Sequence, residues 1–174
     1  MPGLFHRRPK LAAEKRPALD RDERILAWGD ATDGQVMVAT TKGLWLPGRD
    51  RLGWHEVHKA AWSGRELRIT ASEVAEQRDG YTVVVDQPVA AYLLLEPGEV
   101  PEHVRERVTK SVPHTWHHQL PGGGVRIAAR KVSGVNGLTW TVRYDAGTPV
   151  DDGSVVHATD LLVKQAKDLT TQSF

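Results

Sequence analysis

From Val36 to Thr70 a turn signal recurs every few residues, and this punctuation leaves no room for a long helix. Asp33-Gly34 precedes the stretch, and Thr41-Lys42-Gly43, Pro47-Gly48 and Ser63-Gly64 divide it. Asp-Gly between two apolar runs is a strong hairpin signal, because both residues tolerate positive φ. The segments between the turns read as strands: Arg24–Trp28, Val36–Ala39, Leu44–Leu46, Leu52–Val57 and Glu66–Thr70. Strands at a spacing of roughly eight to twelve residues mark a small antiparallel sandwich or barrel.

The pattern continues with one interruption. Ala71–Gly80 is polar and charged and reads as a connector ending in the turn Arg78-Asp79-Gly80. Tyr81–Val85 is a β-branched strand, Gln87-Pro88 breaks it, and Val89–Leu95 is a continuous apolar run that predicts a strand buried on both faces. After Pro97-Gly98 the period changes. Val100, Val104, Val108 and Val112 recur every four residues and form one helical stripe, with Pro101 suited to the first helical position. Valine is a mediocre helix former, so a helix over residues 101–112 must be held by packing that stripe against the sheet.

Three further strands follow Pro113: His114–Leu120, Val125–Val132 and Leu138–Asp145, with glycine-rich turns between them. In the last, Leu138, Trp140, Val142 and Tyr144 share one face, and Thr139, Thr141 and Arg143 share the other. Asp151 or Asp152 can cap a final helix over about 154–169, whose inward face is approximated by Val155, Ala158, Leu162, Gln165, Ala166 and Leu169. The expected class is therefore α+β, mostly antiparallel. Residues 1–22 are a basic flexible arm with a short helix from Leu11 to Lys15, residues 23–112 a first domain, and residues 113–174 a meander and helix packed on it.

Composition narrows the function classes. The 174 residues are 26% charged with a net charge of +1, so no global field draws the chain to nucleic acid or membrane. It has no cysteine, which removes disulfides, thiolate catalysis and cysteine zinc sites and suits the cytoplasm. The longest apolar run, Val89–Leu95, is far short of a spanning helix, and Arg7-Arg8 is followed by no apolar stretch, so no export signal is expected.

The chemical motifs are incomplete. His55-Glu56-Val57-His58 lacks the second histidine spacing of a zinc protease, since Lys59 stands where His is needed. Trp54, Glu56 and His58 instead read as one polar-edged packing face. His114, His117 and His118 form the densest histidine cluster, but His114 and His118 on one strand face are roughly 13 Å apart, too far to share an ion. Asp145, Asp151 and Asp152 do not match a calcium loop. Gly122-Gly123-Gly124 is followed by a strand rather than by Lys-Ser/Thr and a helix, so it is no phosphate loop. Trp62-Ser63-Gly64 is not a nucleophile elbow. No catalytic, cofactor or metal residue is assigned.

One resemblance bears on fold. Val38-Ala39-Thr40-Thr41-Lys42-Gly43-Leu44-Trp45-Leu46 followed by Trp54-His55-Glu56-Val57 resembles a strand pair and a Trp-bearing strand of bacterial pleckstrin-homology-like domains. The chain as a whole is similar to uncharacterised proteins of actinobacteria. The resemblance implies a sandwich or barrel over about 24–112, capped by the valine helix, and a peptide- or headgroup-binding role. The reading that follows is a non-enzymatic binding or scaffold protein that holds a peptide or protein partner on a sheet surface, with no cofactor. Neither nucleic acid nor a small-molecule substrate is expected. The alternative is peripheral attachment to an anionic membrane on the inner face. Phe5, Arg7, Arg8 and Lys10 of the arm would make the contacts, and Trp62 and Arg65 are the expected exposed contacts on the folded part. A further alternative is an enzyme whose site no motif reveals.

Overall fold

The computed structural model describes residues 9–172. Eleven strands form one continuous, unclosed sheet. They are β1 Ile25–Ala31, β2 Val36–Thr40, β3 Gly43–Trp45, β4 Arg51–Gly53, β5 Val57–Trp62, β6 Glu66–Arg78, β7 Tyr81–Asp86, β8 Ala90–Glu96, β9 His114–Leu120, β10 Gly123–Arg130 and β11 Thr139–Tyr144. Helix α1 spans Val100–Ser111 and α2 spans Gly153–Thr171. The strand order is β4-β3-β2-β1-β8-β6-β7-β11-β10-β9, with β5 added on β6. The class is α+β and mostly antiparallel, as the turn pattern predicts.

The pivot is β6. Its first half pairs with both β5 and β8, and its second half pairs with β7. Gln87 marks the break between β7 and β8 by donating its N–H to the Ala71 carbonyl at 2.8 Å. Two cores grow from this shared strand. One gathers Met37, Leu44, Trp54, Val57, Leu67, Ile69 and Leu94 beneath Val100 and Val104 of α1. The other gathers Tyr81, Val83, Val125, Ile127, Trp140 and Val142 beneath Val163 and Ala166 of α2.

Several expectations are corrected. The expected strand Leu52–Val57 is split by a single 3-10 turn at Trp54–Glu56, where Glu56 Oε2 accepts the Gly53 N–H at 2.8 Å. That turn carries Trp54 into the core, and its indole N–H donates to the Thr40 carbonyl at 3.0 Å. Residues 71–78 are strand rather than connector: both faces of Glu73–Gln77 are exposed, so no alternation betrays them, and pairing with β7 supplies the order. Strand β8 is buried on one face only; Leu94 is in the core while Leu95 is 62% exposed. β7 and β11 pair in parallel, Val83 beside Val142, in a sheet whose other pairings among the described residues are antiparallel. A parallel neighbour requires a long crossover, and here β8, α1, β9 and β10 form it.

The helix stripes also shift. In α1, Val100 and Val104 are buried but Val108 is only partly so. In α2 the buried positions are Val155, Thr159, Val163 and Ala166, and Gln165 and Leu169 face outward. Thr159 is accepted inside because its hydroxyl bonds the Tyr144 hydroxyl at 2.7 Å and the Val155 carbonyl at 2.8 Å. Asp152 is the cap, accepting the Ser154 N–H at 2.8 Å. Preceding β1, Leu11 is 4% exposed, and a 3-10 turn covers only Ala13–Lys15.

Candidate anion-binding cleft

The β7–β11–β10–β9 part of the sheet has two unequal faces. Val125, Ile127 and Ala129 of β10 point into the second core. Alternation therefore sends Arg126, Ala128 and Arg130 to the other face, together with Thr141 and Arg143 of β11 and Thr115 of β9. On that side His58 of β5, Val84 of β7 and Val112 at the end of α1 close a cleft of about 250 Å³.

The charge balance in the cleft is uneven. Arg126 and Arg143 stand directly opposite each other across β10 and β11. Like charges in that position repel. Asp86 relieves one of them: it accepts two bonds from Arg143 Nη1, at 3.0 and 2.8 Å, and a further one from His58 Nδ1. Burial alone would raise the Asp86 carboxyl, but the His58 bond and the Arg143 charge outweigh it and hold the group below its ordinary value. Burial pushes His58 below its ordinary value, and the Asp86 bond offsets this only in part.

Arg130 has no such relief. It is 8% exposed, and its Nη1 is buried without a hydrogen-bond partner. Burial, and then the charge of Arg143, push its pKa down. A buried guanidinium without a partner is costly, and folded proteins rarely leave one. Arg126 is exposed and makes no hydrogen bond or ion pair among the described residues. Asp145, two residues beyond Arg143 on the same face, is already held by His117 Nε2 at 2.8 Å. Three arginines thus face one carboxylate in the cleft.

The residues expected from sequence lie elsewhere. Phe5, Arg7 and Arg8 fall outside the described residues. Lys10 is exposed in the segment that precedes β1. Trp62, 36% exposed, and Arg65 share the β5–β6 turn. None of these three lines the cleft. His114 stacks on Trp116, and Trp116 on Trp140, at 5.9 and 5.8 Å between centroids. Among the described residues no three His, Asp or Glu side chains are placed to hold a metal ion. Trp54, Glu56 and His58 do not form the single strand face expected of them, because the 3-10 turn intervenes: Trp54 enters the core and His58 turns to Asp86.

Arg126 and Arg130 were overlooked in the sequence, although their signal is present. Val125-Arg126-Ile127 alternates, and Arg130 lies four residues on, hence on the Arg126 face of a strand. Ala128-Ala129 blurs the alternation, and nothing local shows that the polar face is roofed by β5 and α1.

No family model matches the chain, and no curated protein or solved structure matches it either. Among the described residues no helix is long and apolar enough to cross a membrane.

Proposed function

We propose that this protein is a non-catalytic binding protein that holds a peptide or protein partner on the β7–β11–β10–β9 part of its sheet, gripping an anionic group of that partner in the arginine cleft. The observation that carries the reading is Arg130, buried with an unpartnered Nη1. Electrostatic strain of this kind is stored at sites that a ligand completes. The strand bordering the cleft adds support. β9 ends the sheet, pairs with β10 without a bulge, and carries no Asp, Glu, Lys or Arg over its seven residues, so an extended segment can align along it. His58 has the carboxylate partner that an acid–base imidazole would need, yet among the described residues no hydroxyl bonds its other ring nitrogen. The pleckstrin-homology-like relationship of the first part is proposed alongside this reading, supported by the sheet and its capping helix α1.

A thermal-shift series at fixed ionic strength tests the proposal. Sulfate, phosphate and acetate are compared with chloride for the wild type and for Arg130→Met. At least one multi-oxygen anion should raise the wild-type Tm and leave the variant unmoved. Equal responses of the two proteins to every anion would contradict the cleft, and hydrolysis of p-nitrophenyl phosphate that depends on His58 would contradict the non-catalytic reading.

A further inference from the structure

Resting on the cleft reading, we propose that the anionic group it takes is a phosphoryl dianion carried on a side chain of the partner, rather than a carboxylate. Charge is the first argument. Asp86 answers one of the three arginines, which leaves two positive charges unanswered on Arg126 and Arg130. A phosphate monoester carries about −1.5 to −2 at neutral pH, a carboxylate only −1.

Geometry is the second. Arg126 and Arg130 come from β10, and Arg143 from β11, so donors approach a central anion from two strands. A planar carboxylate is satisfied by one bidentate fork, whereas three phosphoryl oxygens accept from several forks at once. The Thr115 and Thr141 hydroxyls also line the cleft, and neither makes a hydrogen bond to another described residue. They are neutral donors for an oxygen the arginines leave over.

Size is the third. About 250 Å³ is smaller than the usual cavity for a whole small molecule, roughly 300–1,000 Å³. It suits one tetrahedral group, with the rest of the ligand outside along β9.

Isothermal titration at constant ionic strength decides the matter with O-phosphoserine, serine, glutamate, acetate and inorganic phosphate as probes. Phosphoserine should bind, inorganic phosphate should compete with it, and glutamate and acetate should be weaker by about tenfold or more, the size of one charge-assisted hydrogen bond. Arg130→Met should abolish phosphoserine binding, and Arg126→Met, at an exposed position that does not endanger folding, should weaken it by about tenfold or more by the same measure. Glutamate or acetate binding as tightly as phosphoserine, and lost in Arg130→Met, would overturn the phosphoryl assignment while leaving the anion cleft standing. Inorganic phosphate binding without phosphoserine would overturn the side-chain source. No binding by any probe, or binding untouched in both variants, would overturn the cleft reading as well.

Discussion

Among the described residues, the buried charged residues Glu23 and Arg130 are treated in opposite ways. Glu23, 6% exposed, lies where the chain enters β1 and is saturated with donors. The Thr40 hydroxyl and Trp45 indole N–H reach Oε1 at 2.5 and 3.0 Å, and the Asp20 N–H and Arg51 Nη1 reach Oε2 at 3.0 and 2.5 Å. Burial would raise its carboxyl, but these bonds and the Arg51 charge outweigh it and hold the pKa below the ordinary value. Arg130, 8% exposed, has no partner for its Nη1. A buried charge with a full set of partners is part of the fold. A buried charge without them strains the fold, and here it marks the site where the proposed ligand would act.

Removing the Glu23 carboxylate should have the largest effect. Glu23→Ala leaves Arg51 with Asp20 alone and takes the acceptor from the Trp45 indole N–H and the Asp20 N–H, and denaturant melts should show a loss of about 1–3 kcal/mol. A loss within about 0.5 kcal/mol, the range of an ordinary surface change, would erase the contrast with Arg130. Asp86→Asn should act more weakly and in two directions. The ion pair with Arg143 is partly exposed, so stability should fall by only about 0–1 kcal/mol. Anion affinity should rise, because Arg143 is released to the ligand. Weaker phosphate binding in that variant would show that Asp86 positions the arginines rather than competing for them.

The smallest effect concerns pH. Burial holds His55 and His58 below their ordinary value of 6.5. The unfolded chain therefore takes up the proton first, and stability should decline as pH falls below about 6.5. Asp86 sits below its ordinary value of 3.8, so its contribution is kept through that window and lost only in stronger acid. Comparing Tm at about pH 7.5 and about pH 5.5 should show a drop for the wild type and a shallower one for His58→Gln, given the sign of the His58 shift. A steeper drop in the variant would place the proton uptake elsewhere.

Local signals made the frame readable. Asp33 and Gly34 take φ of 59° and 69°, the positive values their sequence advertises, and β1 pairs back on β2 just there. Leu138, Trp140, Val142 and Tyr144 pack with the second core as their alternation predicts. Both helices start within a residue of the expected sites. What was not readable depends on partners distant in the chain. Ser72–Gln77 become strand through β7, not through their own pattern. The parallel rung between β7 and β11 has no local mark. Arg143 was placed on the polar face of its strand, but its neighbours Arg126 and Arg130, the roof over them and the lack of a partner for Arg130 arise only when β5, β10 and α1 meet.

The central claim is that Arg130 is held for a ligand and not for the fold. The melting of Arg130→Met in anion-free buffer tests it most directly. Removing the buried Arg130 Nη1, which has no hydrogen-bond partner, should stabilise the ligand-free protein by about 1–3 kcal/mol, the cost of leaving such a group unsatisfied. For a chain of this length that is a rise in Tm of about 2–4 °C per kcal/mol. A variant that melts below the wild type would mean that Arg130 supports the fold, and the cleft would lose the strain on which its function rests.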